Sequence, residues 1–411
     1  MKRCHFPDFT GEFWLDLLEG LMRHPDMTKE TAWCTARASL TAFLALLLLG
    51  CGGSSSSNSQ PQTPNNPQSP SEFLYSTNLK GIMAFPVNPS TGALSSGTQA
   101  ASGFTSVGFL ANMVSDPAGK FLFVCNLGNS SIEAFSINAT TGALSPVSGS
   151  PFPIQGSGAG NLSMDPSGRF VYAASTSGIT AYVVNQTTGT LSAIAGSPFS
   201  DGSTLRASVV DPSGRFLYAS GNTTQITTSV FTIDSSTGAP TPIAGSPFLS
   251  PINSEVFSLA VHPSGKFLYG SFPVVNSIVA WSINTSTGAL TVTPASPFAT
   301  GNGTSMLLVA PNGNFLYALN GNDNTVSGFS IDANDGALTA VNGAPFPVNA
   351  GTGYLVIDPS GQFMYSSNGS INFNTITGFN INASTGGVTA FSTPPVTTVD
   401  PFLLAVVKTS P

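Results

Sequence analysis

The sequence predicts an all-β protein: a seven-bladed β-propeller of four-stranded antiparallel blades, its ring closed by the C-terminal strand pairing into the N-terminal blade. Three observations predict it. A unit of about 48 residues recurs from Phe73 to the C-terminus, two turn signatures alternate along it, and the first unit is split between the two ends of the chain.

The first signature is Asp-Pro-Ser-Gly or a variant, starting at Asp116, Asp165, Asp211, His262, Ala310 and Asp358. The second is a Thr-Gly-Ala-Leu-like turn with its glycine at Gly92, Gly142, Gly189, Gly238, Gly288, Gly336 and Gly386, which makes seven units. In the first turn proline presets φ, the aspartate accepts a backbone N–H, and glycine supplies the left-handed residue. Glycine serves the same purpose in the second. Strands joined by such short turns are antiparallel neighbours.

Each unit therefore reads as four short strands, illustrated by Phe257-Ser-Leu-Ala-Val, Lys266-Phe-Leu-Tyr-Gly-Ser, Ile278-Val-Ala-Trp-Ser-Ile-Asn and Ala289-Leu-Thr-Val. Ser-Pro-Phe follows the fourth strand at Ser150, Ser197, Ser246 and Ser296, with Ala344-Pro-Phe a near copy. Proline there is expected to remove a donor from the outer edge of the blade.

The domain opens with Phe73-Leu-Tyr-Ser-Thr, which matches the second strand of a unit, and closes with Phe402-Leu-Leu-Ala-Val-Val, which matches the first. The C-terminus thus supplies the missing innermost strand of the first blade. A ring closed in this way needs no second chain, so a monomer is expected.

Composition agrees. Only 8% of residues are charged and 41% are hydrophobic, with Phe the commonest aromatic. That is strand and turn chemistry with ample material for a core. From Cys51 onward seven Lys and Arg face thirteen Asp and Glu, a net of −6 that argues against nucleic-acid binding.

Residues 1–50 read as a signal peptide. Ala38–Leu49 is a 12-residue apolar stretch after Lys29 and Arg37, too short to span a bilayer comfortably. Because Met1–Asp26 holds Phe-Trp-Leu-Asp-Leu-Leu, which is untypical of a signal, translation is expected to begin at Met27. Leu48-Leu49-Gly50-Cys51 resembles the bacterial lipobox, which implies diacylation of Cys51, cleavage before it, and residence in the cell envelope on a membrane. An uncleaved hydrophobic anchor is the alternative. Residues 51–70, rich in Gly, Ser, Gln, Pro and Asn, read as a flexible tether, and residues 71–411 as the propeller. Cys125 remains the single cysteine of that domain and reads as a buried, inert thiol.

Candidate functional residues are few. Five residues before successive first turns stand Ala111, Gly160, Arg206, Phe257, Ser305 and Gly353, at the starts of the innermost strands. Arg206 and Glu255 are the only charged residues just upstream of inner strands, and they belong to adjacent blades. An Arg–Glu pair at a channel mouth can polarise a carbonyl and activate water, or simply line the channel as an ion pair. His262 occupies a turn slot and reads as turn filler. Glu133, at a variable strand position, reads as solvent-facing. Asp323 and Asp335 lie near asparagines but lack a calcium-loop pattern, no His/Cys cluster suits zinc, and Gly156-Ser-Gly-Ala-Gly160 precedes a strand rather than opening a helix. No cofactor or metal is called for.

The string Asp-Pro-Ser-Gly-Arg-Phe-Leu-Tyr-Ala, with Ile-x-Ala-Phe-x-Ile-Asn-x-x-Thr-Gly-Ala-Leu, resembles the lactonase-type seven-bladed propellers, which include 6-phosphogluconolactonase-like enzymes and stand close to YVTN-repeat proteins. Phe123-Val-Cys-Asn126-Leu127-Gly128 is similar to that family's Val-Ala-Asp-Leu-Gly strand ending, with Asn for Asp. The resemblance implies a site at one mouth of the central channel, served by Arg, His and Glu from inner-strand starts. Of these the chain matches only Arg206 and Glu255.

Two functions follow as expectations. The first is a surface or periplasm-facing lipoprotein that binds a small molecule, glycan or protein at its channel face. The alternative is a lactone hydrolase acting at the channel mouth through Arg206 and Glu255.

Overall fold

The computed structural model describes residues 71–410, apart from 79, 103–109, 157–159, 223–225 and 370–373. The apolar stretch at 38–49, Met27, Cys51 and the tether therefore lie outside the described residues. Within them every regular element is a strand, grouped into seven antiparallel sheets.

The fourth blade shows the plan: Leu205–Val210 innermost, then Phe216–Asn222, Ile226–Ile233 and Pro240–Pro242. Why the strands turn where they do is visible in the side chains. Asp211 Oδ1 accepts the N–H of Phe216 at 2.8 Å and Oδ2 that of Ser213 at 3.1 Å, so one carboxylate closes the first hairpin. Asp116, Asp165 and Asp358 make the same reach to Phe121, Phe170 and Phe363 at 2.6–2.7 Å. These aspartates are buried acceptors, satisfied by backbone donors.

The outer edge differs from a plain fourth strand. In five blades it comes in two pieces pairing opposite halves of the third strand, as Leu290–Val292 and Phe298–Ala299 do in the fifth. Ser-Pro lies between the pieces in the second, fourth and fifth blades, and the third carries it after its fourth strand. There the serine Oγ stands in for the missing ladder acceptor: Ser150, Ser197, Ser246 and Ser296 take the N–H of Ala134, Ala181, Val230 and Ala280 at 2.8–3.0 Å. The motif expected to blunt an edge thus also bridges a gap in it.

The core is divided into seven apolar wedges, one per pair of neighbouring blades. Each wedge is built on a contact repeated around the ring. The phenylalanine that starts each second strand (Phe73, Phe121, Phe170, Phe216, Phe267, Phe315, Phe363) lies against the Thr-Gly turn of the next blade. A Cβ on that turn's glycine would sit 2.3–2.6 Å from the phenylalanine ring, closer than any real contact. The same glycines have φ of 68–79°, so both backbone and space demand glycine. Two residues on, a tyrosine hydroxyl donates to the same glycine's carbonyl: Tyr75 to Gly142, Tyr172 to Gly238, Tyr218 to Gly288, Tyr269 to Gly336, Tyr317 to Gly386 and Tyr365 to Gly92, at 2.7–3.4 Å. Phe123 holds this position in the second blade and has no hydroxyl to offer.

The ring closes as the split first unit requires. Leu404–Lys408 pairs antiparallel with Glu72–Asn78, in register Phe73 with Val407 and Tyr75 with Ala405. Thr77 Oγ1 accepts Leu403 N–H at 3.0 Å and Ser71 O accepts Thr409 N–H at 2.8 Å.

One carboxyl is trapped in this seam. Glu72 is 7% exposed and its Oε1 has no hydrogen-bond partner. Burial pushes its pKa up to about 7, the Asp358 carboxylate adding to the rise and Lys408 opposing it. The fold therefore prefers the protonated acid: its contribution is fully present below about pH 4.5 and is lost as pH rises through about 7. We expect Glu72→Gln to gain up to about 3 kcal/mol over wild type above that pH and nothing at the acid end. Denaturant unfolding of both proteins across the interval checks this; a constant difference at all pH values contradicts it.

Candidate functional site

Because each blade is a meander, its two short turns lie on one face of the ring and the longer loops on the other. Arg206 and Glu255 fall on the loop face, at the innermost strands of the fourth and fifth blades. Arg206 is second in Leu205–Val210, between buried Leu205 and Ala207, so its side chain points away from the core. Glu255 and Phe257 flank buried Val256 on the chain leading into Leu259–Val261, where Phe257 N–H donates to Ser271 O at 3.0 Å. On extended chain, residues two apart share a face, so Glu255 and Phe257 look the same way.

The two charges meet: Arg206 Nη1 donates to Glu255 Oε1, with the side chains 51% and 31% exposed. This contact uses one of five guanidinium N–H groups and one of two carboxylate oxygens, which leaves donors and an acceptor for a ligand. A glycine makes the arrangement possible. A Cβ at Gly160 would lie 2.2 Å from the Arg206 carbonyl oxygen, so the third blade can approach the Arg206 strand this closely only without a side chain.

The other residues at this level are small or apolar. Register with the first blade (Phe73 opposite Val407) places Phe402 at the position that Arg206 and Phe257 hold in theirs. Phe257 is 53% and Phe402 56% exposed, and the Phe402 ring lies 3.9 Å from where a Cβ of Gly353 would be. The surrounding loops are tied by asparagines with left-handed backbone. Asn276, Asn324 and Asn374 (φ 52, 53 and 39°) accept the N–H of Gly303, Gly351 and Asp400 at 2.9–3.0 Å, each linking one blade to the next.

His262 sits on the opposite face and fills its turn. Its Nδ1 accepts Ser264 N–H at 3.1 Å, so Nε2 carries the proton and donates to Gly313 O at 2.7 Å in the neighbouring turn. Glu133 is partly exposed, and Asn126 Nδ2 donates to it at 3.3 Å. Asp323 is held by the main-chain and side-chain amides of Asn302 at 2.7 and 2.8 Å, which lower its pKa and occupy its oxygens. No group of three His, Cys, Asp or Glu suited to a metal is present among the described residues. Cys125 is fully buried, and burial pushes its thiol up to about 12, far from nucleophilic use. A 290 Å³ cleft on the turn face includes Arg215, but that guanidinium already donates to Thr285 O and stacks on Phe216.

Fold and site together define a seven-bladed propeller with an ion pair between its fourth and fifth blades. The family described as Lactonase, 7-bladed beta-propeller matches residues 72–201, 147–249 and 253–353, and the chain belongs to it. Three solved structures show the same fold. A protein of Bacteroides uniformis, provisionally assigned as a 6-phosphogluconolactonase, is 19% identical, with TM-score 0.67 over 82% of this chain and 99% of its own. One of Bacteroides fragilis with the same provisional assignment is 20% identical, with TM-score 0.65 over 84% and 100%. The periplasmic gluconolactonase PpgL of Pseudomonas aeruginosa is 17% identical, with TM-score 0.65 over 82% and 99%. No curated protein matches the sequence.

Gly160→Ala is expected to displace the Arg206 strand and lower the unfolding free energy by about 1–3 kcal/mol. Gly353→Ala, where the added carbon meets only the edge of Phe402 at 3.9 Å, should stay within about 0.5 kcal/mol. Equal costs in denaturant unfolding would sink the claim that Gly160 makes room for the arginine.

Proposed function

We propose that the protein is an exported, lipid-anchored lactone hydrolase, tethered through Cys51 and working at the mouth where Arg206 meets Glu255. The observation that carries the reading is the direct pairing of these two side chains across the fourth and fifth blades, both reachable from solvent. Membership of the lactonase family supports the reaction class.

The chemistry needs only these two groups and water. An unengaged N–H of Arg206 donates to the lactone carbonyl and holds the oxyanion as it forms, while the Glu255 carboxylate takes the proton of the attacking water. The ring C–O bond then breaks, the proton returns from Glu255 to the departing alkoxide, and the product is a hydroxy acid. The Glu255 contact fixes the guanidinium before substrate arrives, so less side-chain freedom is lost on binding.

Ligand capture without turnover is a second reading, favoured by one observation. The histidine of the described residues, His262, lies on the far face, so the mouth has no imidazole to share proton transfer.

Initial rates on a panel of sugar, alkyl and aryl lactones, followed by acid release in a pH-stat, separate the two. Hydrolysis predicts turnover of at least one class, falling by about 100-fold or more in Arg206→Ala and Glu255→Gln. No ring opening, or an Arg206→Ala rate equal to wild type, leaves only capture.

A further inference from the structure

The mouth also indicates what its lactone looks like. One residue from each blade reaches the level of Arg206: Phe402, Ala111, Gly160, Arg206 itself, Phe257, Ser305 and Gly353. Arg206 is the single charge among them and Ser305 the single hydroxyl. The rest are small or aromatic.

A phosphorylated sugar lactone brings about two negative charges and several hydroxyls. The charges need cations, and Arg206 is already paired with Glu255. Elsewhere on this face the loops hold Asp201, Asp323 and Asp400 against Lys80, so acids outnumber bases. Within residues 71–410 the stretches not described (79, 103–109, 157–159, 223–225 and 370–373) contain no Lys, Arg or His.

What the level does offer is apolar surface. Phe257 and Phe402 are each more than half exposed, an unusual position for phenylalanine, and the Phe402 ring lies 3.9 Å from where a Cβ of Gly353 would be. Phe257 shares its face with Glu255, so a ligand held by the charged pair meets that ring first. Further exposed apolar groups, Leu127, Val274, Val275 and Val399, lie in the loops of the same face.

We propose that the mouth takes an uncharged lactone carrying an apolar aryl or alkyl substituent, its ester held by Arg206 and its substituent against Phe257 and Phe402. This rests on the hydrolase reading above for the site, but it is tested by binding as well as by turnover.

The decisive probe is the purified full chain with two lactams, 3,4-dihydroquinolin-2-one and gluconolactam, which copy an aryl and a sugar lactone but resist hydrolysis. Calorimetric titration should show the aryl lactam binding at least about tenfold more tightly, and Phe257→Ala removing about tenfold of that affinity while leaving gluconolactam unchanged. Dihydrocoumarin should correspondingly be hydrolysed with higher kcat/KM than glucono-δ-lactone or its 6-phosphate. Equal or tighter binding of gluconolactam, or a Phe257→Ala variant of unaltered affinity and native unfolding profile, overturns the proposal. If the aryl lactam binds but no lactone is opened, the hydrolase reading fails and the ligand class stands. If the phosphorylated lactone is the better substrate, the reverse holds.

Discussion

Each junction in this ring rests on a phenylalanine lying against a glycine that has no space for a side chain. The contact explains several features at once. It places a large apolar side chain between neighbouring sheets, worth about 2 kcal/mol for each phenylalanine buried. It fixes the height of each blade against the next, because the ring can sit only where the glycine is. The tyrosine two residues on then joins the same glycine's carbonyl, so a directional bond locks what the apolar contact brings together. Where the seventh blade meets the first, Phe363 and Tyr365 meet Gly92 just as their counterparts do elsewhere.

Fixing the heights of the blades also makes the mouth. With the seven inner strands held at one level, the residue that each presents near its start is compared directly with six others, and differences among them carry the chemistry. Arg206 can reach Glu255 because the fourth and fifth blades are held in step, while Gly160 lets the third blade lie close to the Arg206 backbone. The asparagines Asn276, Asn324 and Asn374 tie the loops of one blade to those of the next on the same face.

Much of this was legible in the sequence. The turn signatures gave the strand count and the split blade gave the closure, because proline, glycine and aspartate act locally and leave a periodic trace. Arg206 and Glu255 were legible as exceptions in an otherwise uncharged set of positions. Their direct contact was not, since it depends on how far one blade is set from the next. Phe402 was read as part of a closing strand and became a mouth residue only once register with Phe73 placed it. The serine that patches the outer edge was likewise hidden, because its partner N–H is 16 residues away on another strand. The contact of Glu133 with Asn126 is hidden for a similar reason, since pairing of the second and third strands brings them together.

The second blade offers the most direct test of the repeating junction, because it lacks one part of it. Phe123 is fully buried at the tyrosine position and faces the junction closed by Gly189. If the contact is the same around the ring, Phe123→Tyr places a hydroxyl within reach of the Gly189 carbonyl, as six other blades do. Denaturant unfolding should then show a gain of about 1 kcal/mol with an unchanged m-value. A loss of that size, the mark of a buried hydroxyl with no acceptor, would contradict a uniform junction.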